Sequence, residues 1–453
     1  TAFVMDYLSK EDEELFRTTT PMTRMIKVSP FEYADKSQMK DYVLEEITAR
    51  YPAETETTEG DMSWQEFMEL GRNFKGEYLA PVDPDRAVFG AYTSGSTGIS
   101  KLVIHSSANI VATAYQMSIF IPPSDVQEVW WTPILPPALI AVTVSMTIFP
   151  LSTGLMVSLD PFCPLENIDI EFMDRKPNFW ALIPLYCEML MSSERIPEDY
   201  DMSHLRTIGA GAEAMNDRKY AEVEEFFHKH NVQAKLSAGY GQSEGCSNLT
   251  LPNPMFPLED GCVGMPMTAT VLGVFDKDLN ELNYGESGEL CMTGPSMMLH
   301  YSGWRGEELT EQTLVEHPDG NTWLHTGDEA YITEQGIVHI LGRGEIKAYG
   351  DKPLHVMRME TKTVRTPGVK DGFFCLVPDQ EHEGYYRPYL FVILDGTKTL
   401  EEVAELLKDT LEEHEYPVEI REITERPYFH FKTDRKGLTA QILKELEQAK
   451  EEK

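Results

Sequence analysis

Tyr92-Thr93-Ser94-Gly95-Ser96-Thr97-Gly98-Ile99-Ser100-Lys101 decides how this chain is read. Hydroxyl side chains, glycines and a lysine lie between two apolar runs, Ala87 to Tyr92 and Leu102 to His105. Those runs read as short buried strands, which makes the stretch between them a tight turn. Glycine permits positive φ and close backbone approach, exposed N–H groups form an anion-binding concavity, and the hydroxyls and lysine add donors. The loop therefore suits a polyphosphate. It is not a Walker A loop, which needs Gly-Lys-Ser/Thr contiguous, because two residues separate Gly98 from Lys101. A solvated Ser/Gly linker is the plain alternative; the flanking strands argue against it.

At 453 residues the chain is expected to form two or more domains. Lys and Arg total 39 against 75 Asp and Glu, a net charge of −36. That balance excludes a nucleic-acid partner, whose phosphates require basic patches. Six cysteines without a CxxC pair read as reduced thiols of a cytoplasmic protein, and no spacing among histidines and cysteines suggests zinc. Leu139 to Leu159 is apolar but interrupted by Pro150, Ser152, Thr153 and Gly154, so it reads as buried helix, turn and strand, with no membrane span. The opening residues read as a strand and not as a signal peptide.

Further on, Val129-Trp130-Trp131, Leu155 to Val157, Phe179 to Ile183 and Ala234 to Ser237 are strand candidates, with an amphipathic helix at Asp217 to His230. Such alternation predicts an α/β fold with a mainly parallel sheet covered on both faces, which binds ligands beyond the carboxyl ends of its strands. Glycine-rich turns recur there, at Gly209-Ala210-Gly211-Ala212-Glu213 and Gly239-Tyr240-Gly241-Gln242-Ser243-Glu244. Tyr240 offers a face for stacking a base, Ser243 a hydroxyl, and Glu244 a carboxylate suited to Mg²⁺.

Taken in order, the loop and these turns resemble the phosphate loop, adenine-pocket turn and metal-carboxylate motif of the adenylate-forming superfamily, which includes acyl- and aryl-CoA synthetases. Ser243 stands where that family usually has threonine. The resemblance implies nucleotide contacts from Thr93, Ser94, Gly95, Ser96, Thr97, Gly98, Lys101, Gly211, Ala212, Glu213 and Tyr240. It extends through Glu286 to Trp304, read as a hairpin-rich structural segment whose tryptophan suits the core. Trp323-Leu324-His325-Thr326-Gly327-Asp328 follows, where Asp328 after a tight turn would hold the ribose hydroxyls. In Leu341-Gly342-Arg343, the arginine would reach ribose or phosphate. The phosphate loop of this family follows a longer segment than the 91 residues found here. The chain is therefore expected to start inside the first subdomain, short by on the order of 100 residues.

The resemblance further implies a large N-terminal adenylation domain, 1–343, and a small mobile α+β domain, 344–453, rotating about Gly344 and Glu345. In the second part, Phe373 to Val377 and Leu390 to Leu394 read as strands, Leu400 to His414 and Leu438 to Lys450 as helices. The family's C-terminal loop carries glycine then lysine; here Lys436 precedes Gly437. Lys436 is the candidate catalytic lysine with Lys432 in reserve, and a solvated basic turn is the alternative. The implied chemistry joins ATP, Mg²⁺ on Glu244 and a small carboxylic acid into an acyl-adenylate. A thiol then takes the acyl group, either coenzyme A or the phosphopantetheine of an acyl carrier protein. A non-catalytic nucleotide-binding protein stays open as a third reading. Trp131 to Ala138 contains no acidic residue to pair a substrate ammonium, which favours an acid lacking an α-amino group. Trp131, Phe179, Trp180 and Gly239 line an apolar pocket or belong to ordinary core.

Overall fold

The computed structural model describes residues 1–5, 10–19, 24–29, 31–50, 60–77, 79–93, 100–121, 126–211, 217–251, 261–343, 347–429 and 432–451. Two compact units are distinguishable, one of residues 1–83 with 160–167 and one of residues 84–159 with 168–453. The first holds a small parallel sheet, β1 (Ala2–Met5), β2 (Met25–Val28) and β3 (Met62–Ser63), with helices including Lys10–Thr19 and Trp64–Asn73. Lys27, in the central strand, is buried because the Glu13 carboxylate lies against its ammonium.

In the second unit β4 (Ala87–Tyr92) and β5 (Leu102–Ser106) form an antiparallel hairpin. The strand pairing expected around the opening loop is present, but β4 is mostly exposed, with only Ala91 buried. A capping box between Ser106 and Asn109 starts helix Ser107–Phe120 directly after β5, a device that contributes ~1 kcal/mol. β6 (Val129–Pro133), β7 (Met156–Asp160), β8 (Phe179–Leu182), β9 (Thr207–Ala210) and β10 (Leu236–Ala238) form a sheet in the order β10-β9-β8-β6-β7, with β10, β9, β8 and β6 parallel. Adjacent tryptophans on β6 serve opposite faces, as the two-residue period of a strand requires. Trp130 packs on Phe149 and Phe179, while Trp131 packs on Phe172 and Trp180. All of these rings are buried, so the choice between pocket and core at Trp131, Phe179 and Trp180 resolves to core. The apolar stretch after Leu139 is a π-helix, Ala141–Ile148, running into Phe149–Ser152 and then β7.

His204, on the approach to β9, donates from Nδ1 to the Pro177 carbonyl at 2.8 Å and lies 5.5 Å from the Phe172 ring. Burial pushes its pKa below the ordinary 6.5. The folded chain thus holds fewer protons than the unfolded one just below pH 6.5, so this stability contribution is full above 6.5 and is lost as pH falls through the depressed value. Melting temperature should fall between about pH 7 and pH 5, and His204→Gln should flatten that slope. An unchanged slope in the variant would assign the effect to other groups.

Two short hairpins follow the parallel sheet, β11 (Gly241–Gln242) with β12 (Ser247–Asn248) and β13 (Thr250–Leu251) with β14 (Met265–Pro266). An antiparallel sheet comes next. It is built from β15 (Val271–Phe275), β16 (Gly288–Thr293), β18 (Leu314–Glu316), β19 (Thr322–Ile332) and β20 (Val338–Arg343), in the order β15-β16-β19-β18 with β20 also on β19. β17 (His300–Ser302) leaves this sheet and pairs with β5. The segment 286–304 is therefore not a hairpin, since its two strands serve different sheets. Trp304 is 66% exposed and stacks on Arg305, which corrects its placement in the core.

Beyond residue 346, β21 (Ala348–Tyr349) pairs with β22 (Lys352–Pro353), and β23 (Val369–Pro378), β24 (Tyr386–Leu394) and β25 (Glu419–Glu422) form a sheet. Phe374 and Leu376 pack on one side with Val403 and Leu407; Phe373, Cys375 and Val377 pack on the other with Ile442. Burial on both faces explains why the strand reads as an unbroken apolar run. β26 (Tyr428–Phe429) and β27 (Lys432–Thr433) then lead into helix Arg435–Glu451.

Candidate active site

The β4–β5 pairing continues to the residues that flank the glycine and hydroxyl stretch. Thr93 N–H donates to the Lys101 carbonyl at 2.9 Å, Lys101 N–H donates to Thr93 Oγ1 at 3.0 Å, and Ser100 Oγ donates to the Thr93 carbonyl. Ser94, Gly95, Ser96, Thr97 and Gly98 lie outside the described residues. Lys101 leaves the base of the hairpin with its ammonium directed at Tyr301. Nζ donates to the phenol oxygen at 3.0 Å, and the phenol donates to Glu244 Oε1 at 2.6 Å. Nζ is itself 3.6 Å from that carboxylate oxygen. Burial, and next the Glu244 charge, push the Tyr301 phenol far above its ordinary value, so it stays a donor. Pairing of β17 with β5 sets Tyr301 opposite Val103, two residues from Lys101.

Glu244, 8% exposed, sits in the 3₁₀ turn Ser243–Gly245 between β11 and β12. The local sequence leaves little choice of residue. A Cβ on Gly241 would stand 1.7 Å from the Ser247 carbonyl oxygen, and one on Gly245 would stand 2.3 Å from Leu249. Cys246 and Ser247 then take φ of 59° and 94°, which is strained for residues with a side chain. Fully buried His105 steadies the turn through a 2.7 Å contact from Nε2 to the Ser243 carbonyl, and burial keeps its imidazole below the ordinary pKa.

A second cluster lies along β19, against which the Ser243–Gly245 turn packs. Tyr240, past the carboxyl end of β10, donates its phenol to Asp328 Oδ2 at 2.5 Å. Asp328 is 4% exposed and receives no preceding tight turn; it is inside the strand, next to Gly327 in the left-handed region at φ 70°. Gly327 N–H donates to Glu289 Oε1 at 3.1 Å, which fixes that kink. On β20 the partner of Asp328 is Arg343. A β-bulge sets this register, because Ala330 faces Ile340 while Glu329 faces Gly342, leaving Leu341 as the extra residue.

The adenine-turn candidates are at the right end of the parallel sheet. Gly211 N–H donates to the Leu182 carbonyl and Gly239 N–H to the Ala210 carbonyl, both at 3.1 Å, which joins the carboxyl ends of β8, β9 and β10. Ala212 and Glu213 lie outside the described residues, as do the hinge candidates Gly344 and Glu345.

Lys436 does not occupy a loop. It stands exposed in the first turn of helix Arg435–Glu451, which begins three residues before the expected start. Its neighbours are tied down, Thr433 to Arg426 at 2.9 Å and Arg435 to Glu360 at 2.8 Å. The Asp434 carboxylate accepts from Gly437 N–H at 2.8 Å, and a Cβ on Gly437 would meet that carboxylate at 2.2 Å. The glycine after the lysine thus leaves room for the Asp434 carboxylate at the helix start. Lys432 is half-buried in β27.

The structure therefore gathers Lys101 with Glu244, and Tyr240 with Asp328 opposite position 343. It adds Tyr301, which the sequence reading treated as structural. The available signal was chemical, since a buried tyrosine hydroxyl calls for a partner.

The AMP-binding enzyme family profile matches residues 20–302. Similar proteins include the long-chain-fatty-acid–CoA ligase of Escherichia coli O157:H7, 27% identical over 320 residues, which are 68% of this chain and 54% of that protein. Also similar is 4-coumarate–CoA ligase 2 of Nicotiana tabacum, 25% identical over 337 residues, 71% of this chain and 58% of the other. The chain thus spans little more than half the length of these relatives. Among solved structures, ATP-bound MatB from Rhodopseudomonas palustris superposes with a TM-score of 0.75 at 19% identity, covering 98% of this chain and 89% of that one. The fold is shared.

Proposed function

The chain belongs to the AMP-binding enzyme family, and from that membership and the site geometry we propose that it activates a carboxylic acid with ATP and passes the acyl group to coenzyme A. The observation that carries this reading is the Lys101–Tyr301–Glu244 chain, together with the Tyr240–Asp328 pair. In the first step a carboxylate oxygen of the acid bonds to the α-phosphorus of ATP, and the bond to the bridging oxygen breaks to release pyrophosphate. In the second a thiolate sulfur bonds to the acyl carbon, AMP leaves, and a thioester remains. Lys101 holds positive charge near the phosphates, the loop amides and hydroxyls line them, and Asp328 accepts from the ribose hydroxyls. A carboxylate oxygen is the donor type Mg²⁺ takes, and Glu244, held by Tyr301 through one oxygen, is the residue that would hold the ion. That ion would supply charge neutralisation on the phosphates. Residues 344–453 act as the mobile domain in this scheme, with Arg343 at its boundary.

The test is ATP–pyrophosphate exchange with Mg²⁺ and no thiol across aliphatic, aromatic and amino acids. Exchange with one acid class, followed by thioester formation on adding coenzyme A, supports the reading. Thioester formation only on a phosphopantetheine-bearing carrier protein would change the acceptor. The absence of an acidic residue from Trp131 to Ala138 supports an acid without an α-amino group.

The helical setting of Lys436 favours one second reading, a nucleotide-binding protein without turnover. Lys436→Ala separates the two. In an active enzyme it should lower exchange roughly 100-fold, with ATP affinity by calorimetry nearly unchanged. Unchanged exchange would move the role to Lys432, and silent wild-type protein that still binds ATP would favour the second reading.

A further inference from the structure

The sheet that carries Asp328 brings together three side chains that the adenylation chemistry does not use. Cys291 on β16 lies directly opposite His325 on β19, and His317 follows β18 on the neighbouring edge. The Cys291 sulfur and one nitrogen of each histidine all fall within 4.8 Å of one another. Cys291 and His317 are buried, at 0% and 3% exposure, and His325 is half-buried. Nothing in the sequence spacing marks the set, because its members lie 26 and 8 residues apart on separate strands and are united only by sheet register.

We propose that Cys291, His317 and His325 bind a Zn²⁺ ion, with Glu289 orienting His325 from outside the coordination sphere. Thiolate and imidazole donors suit zinc and exclude hard cations such as Mg²⁺. The supporting partner is in place. His325 Nδ1 lies 2.9 Å from Glu289 Oε2, the carboxylate–histidine pairing that fixes a ligand's tautomer and leaves Nε2 for the metal. That Nε2 lies 2.9 Å from His317 Nε2, a hydrogen bond in which one ring donates and the other accepts. Only one proton can lie between the facing nitrogens, and the buried Nδ1 of His317 makes no hydrogen bond. Rings of Phe275 and Trp323, 4.5 and 5.7 Å from the His317 ring, wall the cluster from water.

In a tetrahedral zinc site two nitrogens stand about 3.4 Å apart and a nitrogen and a sulfur about 3.6 Å apart. The ion would therefore spread the two imidazoles slightly and draw the thiol in. Binding releases the Cys291 thiol proton, and the proton between the imidazoles moves to His317 Nδ1, which leaves both Nε2 atoms for the metal. Three protein ligands leave one position for water. Glu289 joins the site to the nucleotide pocket, since its other carboxylate oxygen accepts from Gly327, the residue before Asp328.

The full chain, stripped with chelator, is titrated with Co²⁺ and then Zn²⁺ in the presence of excess Mg²⁺. Expected are a thiolate-to-cobalt charge-transfer band in the near ultraviolet and visible bands of tetrahedral intensity. Zn²⁺ should bleach both, and elemental analysis should find about one zinc per chain. Cys291→Ser should abolish the ultraviolet band, and His317→Gln should lower affinity at least tenfold. Absence of the thiolate band in the wild-type protein, or equal zinc uptake by Cys291→Ser, overturns the proposal without bearing on pyrophosphate exchange. The wild-type spectrum decides the matter even if a variant fails to fold.

Discussion

Glu244→Gln is expected to lower Mg²⁺-dependent pyrophosphate exchange by about 100-fold or more, the scale of losing one well-placed electrostatic group in a water-poor site. Glutamine keeps the volume and an oxygen for the Tyr301 hydroxyl at 2.6 Å, so the turn Ser243–Gly245 should stay folded. What disappears is the charge. Lys101, 3.6 Å away, loses its counter-ion, and the oxygen that would meet Mg²⁺ becomes a weaker ligand. The deficit should therefore shrink as Mg²⁺ is raised, and the half-saturating Mg²⁺ concentration should shift upward. A variant with the Mg²⁺ dependence of the parent protein would remove Glu244 from the site.

Asp328→Ala should raise the KM for ATP by about 100-fold or more with a much smaller change in kcat, because two charge-assisted hydrogen bonds to ribose, each ~1.5–3 kcal/mol, are lost in ground and transition states alike. The informative comparison uses 2′-deoxy- and 3′-deoxy-ATP. The wild-type protein should discriminate against both, and the variant should not, as expected when the substitution and the missing hydroxyl delete one interaction. Persistent discrimination would place the ribose elsewhere. The variant also leaves the Tyr240 phenol without its 2.5 Å acceptor, so some loss of stability should accompany the kinetic effect.

Much of this site was legible because its chemistry is local in sequence. Glycine at 241, a carboxylate at 244 and the hydroxyl-rich loop before Lys101 each have a backbone or charge reason that the sequence displays. The strands β6, β8, β23 and β24 were visible because continuous apolar runs mark sheets covered on both faces. The failures are those of long-range pairing. That β17 joins β5 and not β16, and that Tyr301 thereby reaches Glu244 57 residues away, depends on which strand edges are free, which no window of sequence records. The zinc-type cluster was hidden for the same reason. Trp304 was misplaced because bulk was taken for burial, when stacking on Arg305 leaves it in water. Lys436 was read as loop because the Asp434 cap, which moves the helix start upstream, looks in sequence like one more polar residue.

The bulge at Leu341 acts as a phase marker. From the turn at 333–337, an unbroken ladder would run Ala330 to Ile340, Glu329 to Leu341 and Asp328 to Gly342. One unpaired residue advances the count, so that Asp328 meets position 343. Deleting Leu341 would keep the same pairs in a regular ladder, whereas straightening the bulge with Leu341 retained would set Leu341 against Glu329 and Gly342 against Asp328. A homologous chain that keeps every letter here but straightens the bulge would look the same in an alignment and set a different residue opposite its aspartate.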